Sequence, residues 1–170
     1  MYAKWSIDSV EQRMEERASE LLALSDHVLF AHGGCHVFAL SLRKFSGLPL
    51  LRILEVGGTY NHLACNPGNG CLLDFFGLFT HAKYVREENL DGRDIQFAPI
   101  TEEEVKKRFI VARGPGYYAH PDFFVPATER AHAWIVKHRA YFDGTKKIAI
   151  PDLRRTTTAS DNTKIVWPAL

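Results

Sequence analysis

Residues 61–76, NHLACNPGNGCLLDFF, read as two strands folded back on each other. NHLAC and CLLDFF have strand length and apolar character, and the NPGNG between them collects the residue types that punctuate regular structure. If Cys65 and Cys71 flank the loop as a cross-strand pair, antiparallel register holds the sum of partner numbers constant, setting Leu63 opposite Leu73 and His62 opposite Asp74. Directly opposite residues share a face with Cβ atoms about 5 Å apart, near enough for a carboxylate to accept a hydrogen bond from an imidazole and fix its tautomer. A slip of one residue in the loop would break that pairing. Upstream, LLRILEV and the GGTY turn add a third strand, so residues 50–76 predict an antiparallel meander.

Working outward, CHVFALSLRKFSG predicts a helix that starts at Cys35, carries Val37, Phe38, Leu42 and Phe45 as apolar positions, and ends at Gly47 with Pro49 beyond. An amphipathic covering helix starts near Asp8 or Ser9, where Ser9 and Gln12 have capping-box spacing, and presents Val10, Met14, Ala18, Leu21 and Leu22 on one stripe. Between the two, HVLFAHGG is too short for another full helix. Past Gly77, residues 86–93 read as a loop, Thr101 with Glu104 caps a short helix through Arg108, and RFIVARGPG predicts a strand ending at a Gly-Pro-Gly turn. Thr128 to Tyr141 predicts a helix with Ala131, Trp134, Ile135 and His138 on one stripe. The polar RRTTTASDNTK, residues 154–164, reads as a mobile segment, with 165–167 docking back as a closing strand. The fold class expected is α+β, N-terminal helices on an antiparallel sheet, in one domain over residues 1–170.

Composition narrows the function. With 46% hydrophobic residues the chain can bury an ordinary core, and 21 basic against 20 acidic side chains leave no basic stripe for nucleic acid. Neither a signal-peptide segment nor a membrane span is expected. Three cysteines are too few and too odd for a disulfide framework, which predicts a reducing, cytoplasmic setting or export without a cleaved signal. No cofactor is implied.

Within this frame, Gly33 and Gly34 let the backbone bend just before a helix whose first-turn N–H groups surround Cys35. Those dipoles favour thiolate, the nucleophilic form, and the same groups, with one from the Gly34 turn, suit the oxyanion formed when a thiolate attacks a carbonyl. Acyl transfer also needs a base and a proton for the leaving group, and His62, oriented by Asp74, supplies both.

A cysteine at a helix N-terminus in GGCHVFALSL, a histidine on the strand of NHLAC and an aspartate on the next strand in LLDFFG together resemble the core of papain-like and transglutaminase-like cysteine enzymes. The resemblance spans roughly residues 28–80 and rests on order and context. It implies a helix packed on an antiparallel sheet, with Cys35 as nucleophile, His62 as general base and acid, and Asp74 as orienter. The tryptophan often found beside the cysteine or histidine is absent, and the compact Cys-to-Asp spacing is nearer to transglutaminase-like and small bacterial amidase-like members. The reaction therefore stays open among peptide or amide hydrolysis, deamidation and acyl transfer on a protein or peptide substrate.

Several residues keep two readings. Adjacent helical residues do not share a face, so His36 reads as a capping, packing or substrate-contacting residue, while His32 is the rival base. His32, Cys35, His36 and His62 could together ligate zinc, although their spacing matches no familiar zinc pattern. Asn61 could orient a histidine or donate to an oxyanion. Cys65 and Cys71 read as packed thiols on the hairpin face opposite His62. Tyr117 and Tyr118, in GYYAHPDFF, form either a substrate wall or core, and the same surface, Tyr117 to Phe124, is where a non-enzymatic binding module would capture a partner. His120, His132 and His138 read as structural.

Overall fold

The computed structural model describes residues 7–107 and 120–142, with backbone alone for residues 7–11, 13, 14, 32 and 141. Its centre is the hairpin of β2 (Asn61–Gly68) and β3 (Cys71–Asp74), and the turn between them is shorter than NPGNG. Asn69 and Gly70 turn the chain with φ of 55° and 66°, the paired positive φ of a two-residue hairpin turn for which Asn-Gly is the favoured dipeptide. Gly68 then pairs with Cys71, and Cys65 pairs with Leu73, with a register shift between them. That irregularity lies where Pro67, lacking an N–H, cannot join the ladder and where Asn66 Oδ1 accepts from Gly68 N–H at 2.8 Å. The expected Cys65–Cys71 pair and the direct His62–Asp74 opposition are therefore both incorrect, because three residues of the expected loop, Asn66, Pro67 and Gly68, belong to the strand.

β1 (Leu50–Glu55) pairs antiparallel with β2, and β5 (Ile95–Ile100) with β1, while β4 (Gly77–Thr80) closes the far side in the order β4-β3-β2-β1-β5. The fold is thus α+β with a five-stranded antiparallel sheet, as expected, and two of its strands were not anticipated. β5 carries Pro99, which reads as a strand breaker in sequence but is tolerated because β5 is an edge strand.

The helices cover both faces. α3 (Cys35–Ser46) starts and stops where predicted, Gly47 adopting φ 73° as its left-handed cap. It packs between the sheet and α6 (Pro121–Lys137), and α1 (Ile7–Leu22) lies on α6. Being covered on two sides, α3 buries His36, Val37, Phe38, Ala39, Ser41 and Leu42. On the stripe predicted for α1, Ala18 and Leu21 are buried; the side chains of Val10 and Met14 lie outside the described set. The segment thought too short for a helix forms α2 (Asp26–His32), two turns capped by Ser25 accepting from Val28 N–H. On the opposite face α4 (His81–Glu87) places Tyr84 among Leu51, Ile53, Ala64 and Leu72.

α5 (Glu102–Val105) carries the predicted capping box of Thr101 and Glu104. α6 begins seven residues earlier than expected, at Pro121, because proline suits the first turn of a helix and Phe123 is drawn fully into the core. α7 (Arg139–Phe142) follows the break at His138, whose ring stacks on Trp134 at 4.3 Å. The predicted strand in RFIVARGPG and the mobile and closing segments beyond 154 lie outside the described residues. Among the described residues no helix is long and apolar enough to cross a membrane.

Arg130 fastens α6 to the start of the fold, donating to the Leu22 carbonyl at 2.7 Å, the Leu24 carbonyl at 2.9 Å and the Asp26 carboxylate. It thereby satisfies a carbonyl that the end of α1 leaves open. Arg130→Ala is expected to lower the unfolding free energy by about 2 kcal/mol, the usual scale for hydrogen bonds to a charged group, read as a lower urea midpoint at unchanged slope.

Candidate functional site

The chain leaving α3 turns at Gly47 and enters β1, which runs back along the helix. Twelve helical residues span about 18 Å and six strand residues about 20 Å, so the start of α3 returns to the end of β1 and the start of β2. That geometry brings Cys35, the first residue of α3, to His62, the second residue of β2. His62 itself lies on the α4-covered face, directly opposite Ile53 and stacked on Tyr84 with ring centroids 5.9 Å apart. Sulfur and imidazole meet at the end of the sheet, not across the face on which α3 packs.

His62 Nε2 and Asp74 Oδ2 are 3.2 Å apart, both residues buried. If the Cys65–Leu73 register is continued, Asp74 faces Ala64 and His62 is its diagonal neighbour on the same face, a separation that side chains of this length bridge. The other carboxylate oxygen of Asp74 accepts from Phe76 N–H at 2.8 Å, which fixes the carboxylate plane. With Nε2 engaged by Asp74, Nδ1 is the ring nitrogen left to face the sulfur.

Burial alone would push the Cys35 thiol up, but hydrogen bonds to His36 and His62, and the charges of both rings, outweigh it and bring the thiol from 9.0 down to about 5. Burial also opposes charge on His62, yet hydrogen bonds to Asp74 and Cys35, and their negative charges, raise it from 6.5 to about 10. Across neutral pH the two form a thiolate–imidazolium pair with Asp74 behind it. Cys65 is the contrast, a thiol pushed up to about 12 by burial against a partial offset from Arg43. It donates to the Ala39 carbonyl at 3.5 Å as a packed group on the face opposite His62.

Two expected roles need correction, those of Gly34 and Asn61, and for His36 the packed alternative holds. His36 is buried and hydrogen-bonds the sulfur, because Cys35 sits at the helix end, where the next side chain can reach back around it. Gly34 provides no oxyanion donor: its N–H and that of Gly33 are both given to the Leu29 carbonyl, Gly34 at 2.7 Å. Nor does the glycine pair serve through unusual backbone angles, with φ of −169° at Gly33 and −95° at Gly34. Gly34 is required by closeness, since a Cβ there would come 3.0 Å from the Leu29 carbonyl oxygen and 3.3 Å from the Phe30 ring. Asn61 orients no histidine; its Oδ1 accepts from Arg52 Nε at 3.0 Å, and strand alternation points it away from the His62 face. The first helical bond of α3 runs from Phe38 N–H to Gly34 O, so the Cys35 amide lies ahead of the ladder at the thiolate.

Tyr117 and Tyr118 and the side chain of His32 lie outside the described residues. Among the described residues, Cys35, His36 and His62 are not a group of three mutually close metal donors, Nε2 of His62 being turned to Asp74. The group with that property is Glu15, His120 and Asp122, donor atoms within 4.8 Å of one another, on half-buried to exposed side chains.

Two residues at the site escaped the sequence reading. Tyr60 precedes β2, and its hydroxyl lies 2.6 Å from that of Tyr84. Strand alternation from His62 could have placed Tyr60 on the correct face. Nothing local announces Tyr84, which α4 delivers from the other side of the sheet.

No family model, curated protein or solved structure matches the chain.

Proposed function

We propose that the protein is a cysteine-dependent hydrolase or acyltransferase with a papain-like or transglutaminase-like core, acting on amide bonds of a protein or peptide. One observation carries the reading: a sulfur at a helix N-terminus, a buried imidazole that interacts with it, and a buried carboxylate 3.2 Å behind that imidazole. An ion pair by itself is a common structural feature. A thiolate favoured near pH 5 beside a proton donor still charged at pH 9 fits amide chemistry more specifically, because an amine leaving group departs only with a proton.

In this reading the Cys35 thiolate forms a bond to the carbonyl carbon while the carbonyl π pair moves onto oxygen. Collapse of that oxyanion breaks the C–N bond, and His62 gives its proton to the departing amine. The thioester is then attacked by water, or by an acceptor amine, whose proton returns to His62 as the C–S bond breaks. Thiolate and imidazolium are regenerated, and Asp74 keeps the ring aligned throughout.

p-Nitrophenyl acetate tests the thioester. A burst of about one nitrophenolate per chain, with one acetyl group on Cys35 by mass spectrometry, is the expected result. In parallel, a tryptic peptide library should acquire new termini, deamidated side chains or new amide links with wild type and not with Cys35→Ala. No burst and no acetyl-Cys35, or equal peptide turnover by Cys35→Ala, would remove the proposal.

A further inference from the structure

An oxyanion forming on carbon bound to the Cys35 sulfur needs more than the Cys35 amide, and the glycine turn cannot supply the rest, both glycine N–H groups being given to Leu29 O. Among the described polar side chains nearby, Asn61 points away and is held by Arg52, and His36 is engaged with the sulfur. Tyr60 remains. It lies two residues before His62, hence on the same face of the chain, and it is half-buried where β2 begins.

Tyr84 determines where the Tyr60 hydroxyl sits. The Tyr84 ring lies along His62 at 5.9 Å and its hydroxyl contacts that of Tyr60 at 2.6 Å, so the Tyr60 oxygen is tethered to a ring that lines the imidazole. Tyr84 is almost wholly buried, with Tyr60 in hydrogen-bonding reach of its hydroxyl. If Tyr84 donates to Tyr60, the proton of Tyr60 is released to point into the site. Tyr60 also lies close enough to Cys35 and Asp74 to feel their charges. Burial, despite the opposing hydrogen bond to Tyr84, pushes the Tyr60 hydroxyl well above the usual tyrosine range, so it stays a donor wherever the thiolate acts.

We propose that the Tyr60 hydroxyl, aimed by Tyr84, donates to the carbonyl oxygen of the substrate as it becomes anionic, making Tyr60 a catalytic residue and Tyr84 a positioning residue. This rests on the thioester chemistry proposed above. The Tyr60 O–H keeps its covalent bond; it gives a hydrogen bond that strengthens as the carbonyl π pair moves onto oxygen and weakens as the C–N bond breaks.

The test compares two reactions of one sulfur. Acylation by p-nitrophenyl acetate passes through an oxyanion, whereas alkylation by iodoacetamide displaces iodide directly and forms none. Tyr60→Phe is expected to slow acylation about a hundredfold, the scale for loss of one oxyanion donor, while the alkylation rate and its pH profile stay within about twofold. Tyr84→Phe, which keeps Tyr60 and removes the group that aims it, should lower the acylation-to-alkylation ratio by about tenfold. A ratio within twofold of wild type in either folded variant, or a parallel loss of both reactions, overturns the proposal. Failure of the wild type to acylate at all would instead sink the thioester reading on which it depends.

Discussion

Iodoacetamide should alkylate Cys35 at a nearly constant rate from pH 6 to pH 9, while the rate of an ordinary reference thiol climbs a few hundredfold over the same range. An ordinary thiol titrating near 8.5 is only about 0.3% ionised at pH 6, whereas one titrating near 5 is about 90% ionised. The thiolate fraction thus favours Cys35 by about 300-fold, and its lower basicity returns about 40-fold of that through weaker nucleophilicity. The net advantage at pH 6 is about tenfold, so the shape of the profile is more diagnostic than the rate at any one pH. Cys65, fully buried and pushed up to about 12, should not react until the protein opens. His62→Ala removes one of the two hydrogen-bonding rings and should abolish the plateau, leaving a rate that rises with pH. Peptide mapping after timed alkylation reads the thiols separately, and a Cys35 rate rising in step with the reference thiol would show that the sulfur is not activated.

Asp74→Ala is expected to cost about 3–5 kcal/mol of stability, because it leaves the His62 ring buried and charged without its carboxylate. It also releases the Phe76 N–H, whereas Asp74→Asn keeps an oxygen for that turn and isolates the loss of charge. The pH dependence separates the partners. Cys35 is an acid whose folded value, about 5, lies below its unfolded 9.0, so its contribution is complete above pH 9 and fades as pH falls toward 5. His62 is raised from 6.5 to about 10, so its contribution is complete below pH 6.5 and fades as pH rises toward 10. Between 6.5 and 9 the two slopes cancel, and the pair adds a plateau that falls away on both sides. Urea unfolding at a series of pH values should therefore show the wild-type advantage over Cys35→Ala growing from pH 5 toward neutrality, above which the variant's loss of the sulfur's support for the His62 proton offsets the gain. An advantage that shrinks over that interval would mean the sulfur is held as a thiol.

How much of this was legible beforehand depended on how local the cause was. The start of α3 at Cys35, its end at Gly47 and the capping box of α5 are written in contiguous residues whose backbone preferences survive any tertiary setting. The hairpin shows the limit. Asn69-Gly70 was a readable turn signal, but Pro67 and Gly68 beside it blurred the loop's extent, and the three extra strand residues, with the irregularity among them, replaced the assumed register. His62 and Asp74 still meet, because a shift of two residues in the sum of partners preserves the face and turns an opposite pair into a diagonal one.

The sequence by itself determined the α3 helix with a thiol at its positive end, and the alternation that puts His62 and Asp74 on one face of a hairpin. Both follow from backbone periodicity and dipoles that a dozen residues establish alone. Only the tertiary structure decided which nitrogen of His62 faces Asp74, that His36 also reaches the sulfur, that Leu29 takes the glycine amides, and that Tyr84 crosses from α4 to line His62 and bond the Tyr60 hydroxyl. Those contacts join residues up to 27 positions apart in sequence, Cys35 and His62 among them, and the packing of α3 and α4 against the sheet, not local preference, sets their distances.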